Sequence, residues 1–394
     1  MSVEHLFAIV VALLPVAALS GWYFGRRDLS RRMQKSRRSG MSPDYFRGLN
    51  YLLEDRPDKA IEVFIKVLEV ESDTIETHLA LGNLFRRRGE VDRAIRIHQN
   101  IVAKPTLEFE QRTTALLELG LDYMRSGLLD RAESLFKELL ETGAHQRQAI
   151  DHLVDIYQQE SDWDKALEYT VRYERLANRN LAERRAHFLC EQAQALIATG
   201  DVEDASDRLR EALKTDPTCV RSSLMQADLA MVAGAYDAAI KHLKRVESQD
   251  ISFLPEAIGP LVESYQALDQ RDELLEYLNH LCELRAGITP VLVMTELMHG
   301  QGKTEEAKSR LIDELKLRPS VRGIDRLIEY AALGDPDSIK QNLNLLKELT
   351  DELLAAKSNY ECGKCGFSGR TLHWQCPGCK AWNTVKPVHG IEGE

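Results

Sequence analysis

The chain has 394 residues, 44% hydrophobic, 29% charged and only 7% aromatic, with a formal net charge of −11. Neither Pro nor Gly is in excess, so the composition is that of a globular, Ala- and Leu-rich helical protein with room for two or three domains. Residues 1–40 carry seven cations against Glu4 and Asp28, a local +5 that leaves about −16 on the rest, and an acidic body lacks the basic footprint of a general nucleic-acid binder.

The first element is an uncharged run of 19 residues, Leu6 to Phe24. At about 1.5 Å per residue it spans roughly 28 Å, close to a bilayer core of about 30 Å. Pro15 is tolerated in a membrane helix, and Trp22 and Tyr23 stand where an interfacial aromatic belt belongs. Arg26, Arg27, Arg31, Arg32, Lys35, Arg37 and Arg38 follow. The positive-inside rule then keeps everything after residue 25 in the cytoplasm, with Met1 to about His5 outside. The rival reading is a signal peptide cleaved near Ala18-Leu19-Ser20. It needs its cations before the apolar run, where Glu4 stands. Residues 1–25 therefore read as a transmembrane anchor. Residues 26–42 read as a basic juxtamembrane segment, either lying on anionic lipid or acting as a topology signal alone.

From 43 to 357 one pattern recurs. Gly82, Phe85 and Ala94 return 34 residues earlier as Gly48, Tyr51 and Ala60, and further on as Gly120, Tyr123 and Ala132. Two small residues twelve apart let the helices of a hairpin approach closely, and the aromatic fills the space beside them. The second-helix markers Ala60, Ala94, Ala132, Ala166, Ala205, Ala239, Leu274 and Ala307 are spaced 34, 38, 34, 39, 34, 35 and 33 residues apart. Insertions near Lys104-Pro105-Thr106 and Ala177–Leu181 account for the two long intervals. This resembles the tetratricopeptide repeat, and implies an all-α superhelical solenoid of about eight repeats with a degenerate ninth or cap.

The first helices of such an array usually line a groove for an extended peptide or a partner helix. In the second repeat the groove-facing candidates are Leu79, Asn83, Arg86 and Arg87, where Asn and Arg suit a peptide backbone or carboxylate. The competing reading is a solvated cationic helix end, favoured by the helix dipole.

After Lys357 the character changes, and residues 358–394 read as a small metal-binding domain. Cys362-x2-Cys365, ten residues, then Cys376-x2-Cys379 can place four thiolates around one closed tetrahedral site. Zinc is the default occupant, one per chain, and Lys364 and Lys380 would offset the net −2 of a zinc tetrathiolate. Iron is the runner-up, because Tyr360-x-Cys-x-x-Cys-Gly-Phe resembles a rubredoxin knuckle. Lys380 departs from rubredoxins, which carry Gly there, and the loop between knuckles is short. His373 lies near, but four cysteines already fill the shell. Trp374 and Trp382 are expected to pack around the metal or against the last repeat. Cys190, Cys219 and Cys282 read as scattered, buried small apolar residues. Closely spaced reduced thiolates imply a reducing compartment.

No phosphate-binding Gly-rich loop, no H-E-x-x-H and no G-x-S-x-G is present in the sequence, and a closed four-cysteine site lacks the open position that catalysis needs. The sequence reads as a non-enzyme.

The order of anchor, repeats and knuckles resembles the lipopolysaccharide assembly protein B family along the whole chain. The most specific stretches are Pro15-Val16-Ala17-Ala18 with Gly21-Trp22-Tyr23, Gly82-Asn83-Leu84-Phe85 through Gln99, and Tyr360 through Pro387. The resemblance implies a single-pass inner-membrane protein of Gram-negative bacteria with a periplasmic N-terminus and its bulk in the cytoplasm. It implies promotion of the turnover of LpxC, the lipid A deacetylase, by the membrane protease FtsH. It also implies coupling to the lipopolysaccharide-sensing membrane protein YejM/PbgA. A scaffold that gathers lipopolysaccharide synthesis and transport proteins is the alternative, and a rubredoxin-like electron carrier is a third reading. A homodimer through the solenoid or the anchor is compatible with each.

Overall fold

The computed structural model describes residues 43–332, apart from 55 and 71–74, together with 343–390 except 345, 349, 352, 353 and 356, and residue 393. The expected anchor and basic segment lie outside the described residues, and no described helix is long and apolar enough to cross a membrane. The chain divides into two units, Met1–Ile156 and Tyr157–Glu394.

The first unit holds α1 (Pro43–Leu53) with α2 (Pro57–Val70), α3 (Ile75–Arg87) with α4 (Val91–Val102), and α5 (Phe109–Ser126) with α6 (Leu129–Thr142). The next helix, α7 (Gln146–Gln159), carries the unit boundary. The second unit continues with α8 (Trp163–Ala177), α9 (Ala182–Thr199), α10 (Val202–Thr215), α11 (Val220–Val232) and α12 (Tyr236–Gln249). After a 3-10 turn at Ile251–Phe253 come α13 (Leu254–Ala267), α14 (Arg271–Glu283), α15 (Thr289–Gly300), α16 (Thr304–Leu317) and α17 (Val321–Ala332). Three short strands close the chain: β1 (Tyr360–Cys362), β2 (Ser368–Gly369) and β3 (Val385–Pro387).

The marker residues do what their spacing requires. Ala60, Ala94, Ala132, Ala166, Ala205, Ala239 and Ala307 are fully buried. The glycines admit a ring rather than merely a neighbouring backbone. A Cβ on Gly48 would lie 2.6 Å from Phe64, and one on Gly120 would lie 2.7 Å from Phe136. His98 occupies the same place over Gly82. In repeats one to four the aromatic of the first helix also takes a cation from the residue just before the marker alanine. Lys59, Arg93, Arg131 and Lys165 lie 5.7, 4.2, 5.7 and 5.1 Å from the ring centres of Tyr51, Phe85, Tyr123 and Tyr157.

The hairpins of repeats two to eight each turn on one left-handed residue: Gly89, Gly127, Ser161, Gly200, Gly234, Asp269 and Gly302. The next N–H bonds back to the carbonyl five residues earlier, as in Glu90 to Phe85, Leu128 to Tyr123 and Asp162 to Tyr157, all at 2.9 Å. These bonds satisfy carbonyls that the helix end would otherwise leave open. The two long sequence intervals are absorbed as helix. Helices α5 and α9 have 18 residues where α3 and α11 have 13, so each insertion adds about one turn at the N-terminus of a first helix.

Candidate metal centre

The ribbon is a three-stranded antiparallel sheet in the order β2-β1-β3, with Tyr360 opposite both Gly369 and Pro387. Cys362 ends β1, and its N–H donates to the Phe367 carbonyl at 2.7 Å, while the Gly366 N–H returns to the Cys362 carbonyl at 2.9 Å. The second knuckle repeats this frame. The Cys376 N–H donates to the Ala381 carbonyl and the Lys380 N–H to the Cys376 carbonyl, both at 2.9 Å. Gly366 and Lys380 are both left-handed, with φ of 73° and 58°. Lys380 therefore adopts the backbone that the corresponding glycine would, and its departure from the rubredoxin pattern changes the side chain without changing the turn.

The four sulfurs all lie within 4.8 Å of one another. Cys362 and Cys379 are 3.8 Å apart, and Cys365 and Cys376 are 3.6 Å apart. A tetrahedral site with metal–sulfur bonds of about 2.3 Å has sulfur–sulfur edges of roughly 3.8 Å, so the donor set fits a four-thiolate metal. Cys362 and Cys376 are buried, Cys379 is half-buried and Cys365 faces solvent. Thr384 Oγ1 lies 3.3 Å from the Cys362 sulfur. That hydroxyl, with the backbone N–H groups of Lys364 and Cys365, holds the Cys362 thiol down at about 6, which favours the thiolate that binds metal.

The ribbon is bonded to the repeats of the second unit. Trp382 is its anchor. Its Nε1–H donates to Gln158 Oε1 at 2.9 Å, its ring stacks on His187 with centroids 5.0 Å apart, and Phe188 and Trp163 meet it edge-on. Trp374 stacks on Phe253 at 5.3 Å. Four polar bonds surround these rings. Asn383 donates to Glu183 at 2.9 Å, Lys386 pairs with Asp250 at 2.7 Å, the Tyr360 hydroxyl donates to Glu256 at 2.5 Å, and Gln375 reaches Gln158 at 3.4 Å. The expectation that the tryptophans pack around the metal or on the last repeat is corrected: they pack on earlier repeats. They sit on α9 and the 3-10 turn, with first-helix residues of repeats four, five and seven around them. The reason is chemical: these elements supply aromatic faces together with a Gln acceptor. His187 is buried, and burial, reinforced by the Arg221 charge, pushes its pKa down to about 3. A neutral imidazole is what an aromatic stack tolerates.

The other sequence candidates lie in the first unit, and they divide. Arg86 is turned inward, donating to Asp122 Oδ1 at 2.8 Å, to Glu118 Oε2 at 2.6 Å and to Asn83 Oδ1 at 2.9 Å. Asp122 is fully buried and meets His98 Nδ1 at 2.5 Å on its other side. Asn83 and Arg86 thus join the second repeat to the third, while Arg87 is exposed. The sequence reading missed Glu118 and Asp122. The signal was a carboxylate, Asp122, between the packing residues Gly120 and Tyr123 of α5.

The fold and site define a class: a tetratricopeptide-repeat protein carrying a rubredoxin-type four-cysteine metal ribbon. Family models described as "Rubredoxin metal binding domain" and "Tetratricopeptide repeat" match at residues 360–387 and at 77–108 and 190–252 respectively. The chain is 37% identical to lipopolysaccharide assembly protein B of Escherichia coli K12 over 386 residues, covering 98% of this chain and 99% of that protein. It is 35% identical to the protein of the same name from Haemophilus influenzae, covering 98% and 99%. The chain belongs to the lipopolysaccharide assembly protein B family.

Proposed function

We propose that the chain is a non-catalytic inner-membrane adaptor that promotes degradation of the lipid A deacetylase LpxC by the membrane protease FtsH. In this reading residues 1–25 anchor it with the N-terminus in the periplasm, and the repeats and ribbon work on the cytoplasmic side. The anchor also receives the state of the lipopolysaccharide sensor YejM/PbgA, and the four cysteines hold one zinc ion. A bound zinc would supply no reaction chemistry here; it fixes the fold of a module too small to have a core of its own. Tethering at the membrane raises the effective concentration of a substrate near a membrane protease.

The observation that carries this reading is the seating of the ribbon. Its tryptophans and polar bonds make the metal module part of the repeat surface, so metal occupancy and recognition surface are one structural unit. The test is the half-life of the deacetylase in cells with wild-type protein, with Cys376→Ser/Cys379→Ser, or with none. The adaptor reading expects a longer half-life on loss of the protein and the same lengthening in the double variant. An unchanged half-life in all three overturns it and leaves a scaffold of lipopolysaccharide assembly, the role the relatives' name favours. Visible iron–thiolate absorption in purified protein would favour the electron-carrier reading over zinc.

A further inference from the structure

Two cysteines outside the ribbon are not scattered. Cys190, on the first helix of repeat five, and Cys219, the N-cap residue just before α11 in repeat six, bring their sulfurs to 3.9 Å. They lie in a core otherwise made of Ala186, Leu189, Ala193, Ala205, Leu209 and Ala212. Nothing in the metal chemistry or in the repeat pattern calls for a thiol pair there, since the repeat needs only small apolar groups.

We infer that Cys190 and Cys219 are a dithiol that closes to a reversible disulfide between repeats five and six, with a small peroxide as oxidant. Closing the bond to about 2.05 Å requires an approach of roughly 1.9 Å. One side can yield. Cys190 is fixed within the 18-residue helix α9, but Cys219 follows the exposed turn Pro217-Thr218, whose contacts are Asp216 with Thr218 and the Gln249 side chain on the Pro217 carbonyl, all at the surface. The two thiols are also unequal. The contact between the two sulfurs lowers the Cys219 pKa and raises that of Cys190, and Cys219 sits at a helix N-terminus, where thiolate is favoured. Cys219 is therefore the attacking sulfur.

The electrons balance in two steps. The Cys219 thiolate attacks one peroxide oxygen, the O–O bond breaks, and hydroxide leaves to take a proton as water, so Cys219 becomes a sulfenic acid. The Cys190 sulfur then attacks the Cys219 sulfur, and the sulfenic hydroxide leaves with the Cys190 proton as a second water. Two thiols are oxidised by one peroxide. A dithiol reductant reverses this by thiol–disulfide exchange, ending as a disulfide itself.

The cross-link would fall beside the seat of the ribbon. His187, which stacks on Trp382, is one turn before Cys190 on the same helix. Arg221, two residues after Cys219, reaches back to Glu191 at 2.8 Å and Gln194 at 2.7 Å. The inference does not depend on the adaptor reading.

The test uses the full metal-loaded chain, treated with graded hydrogen peroxide, alkylated, digested and mapped by mass spectrometry. Cys282, partly buried and in neither cluster, is the internal control. The expected result is a Cys190–Cys219 linked peptide pair that forms at lower peroxide than any Cys282 oxidation, disappears with dithiothreitol, and is absent in Cys190→Ala and in Cys219→Ala. If the wild-type map shows both thiols free while Cys282 or the ribbon cysteines are oxidised, the inference is overturned. A link from either cysteine to a ribbon cysteine overturns it as well. The wild-type map decides even if a variant fails to fold.

Discussion

Replacing Trp382 with alanine is the sharpest perturbation of the ribbon's seat. The side chain is 9% exposed, so nearly all of an aromatic surface of about 150–250 Å² is out of water. At about 25 cal/mol/Å² this sets a ceiling of roughly 4–6 kcal/mol, and buried Trp→Ala changes cost about 3–5 kcal/mol. Gln158 Oε1 would not be stranded, because Gln375 also donates to it. We take about 4 kcal/mol, which is on the order of a thousandfold in the docking equilibrium. Trp382→Phe keeps the ring but loses the N–H, and should cost only about 1–2 kcal/mol. The assay has two readouts, limited proteolysis that releases the ribbon and metal release to a chromogenic chelator. Both should accelerate strongly in Trp382→Ala and modestly in Trp382→Phe, while far-ultraviolet helicity is retained. Wild-type rates for both readouts in Trp382→Ala would falsify the claim that this seat holds the ribbon.

Three further outcomes follow from particular contacts. Gly120→Ala places a Cβ 2.7 Å from the Phe136 ring, and because Phe136 is fully buried the overpacking should cost about 1–3 kcal/mol in urea unfolding; an unchanged midpoint would refute it. Lys380→Gly removes a left-handed non-glycine at φ 58° and should stabilise the metal-loaded ribbon by about 1 kcal/mol, read as a higher Tm or slower chelation. His187 has a folded pKa of about 3 against 6.5 unfolded, so below pH 6.5 the unfolded chain binds the extra proton and stability falls as pH drops toward 3. Between pH 7.5 and 5 the loss should be about 2 kcal/mol. His187→Gln should flatten that part of the wild-type profile, and equal slopes in both proteins would count against a buried neutral ring.

The repeats were legible because a 34-residue period puts alanines at every close approach, and one hairpin's marks predict the next. The four cysteines were legible because two C-x2-C turns have few other uses. The insertions were visible only as interruptions; that they become helical turns follows from their four- and five-residue lengths, close to one turn of α-helix. The seat of the ribbon was not legible. Trp382 and Gln158 are 224 residues apart, and Asn383 and Glu183 are 200 apart. No local pattern links an exposed-looking Gln or Glu on a helix to a ring so far along the chain. Arg86 shows the opposite failure. Its spacing suggested a free groove cation, but a buried Asp122 one repeat away had first claim on it.

The row of first helices that in such arrays usually receives a peptide already has a tenant in repeats four, five and seven: the chain's own C-terminus. A ligand carried on the same chain as its site binds intramolecularly, at a raised effective concentration. A free peptide that reads Gln158, His187 or Glu256 must therefore outcompete Trp382 and Tyr360, and its apparent affinity falls by the ribbon's own docking constant. Were the ribbon to unfold on losing its metal, the competitor would go with it, and the four thiolates would then also decide whether that stretch of repeats is open to anything else.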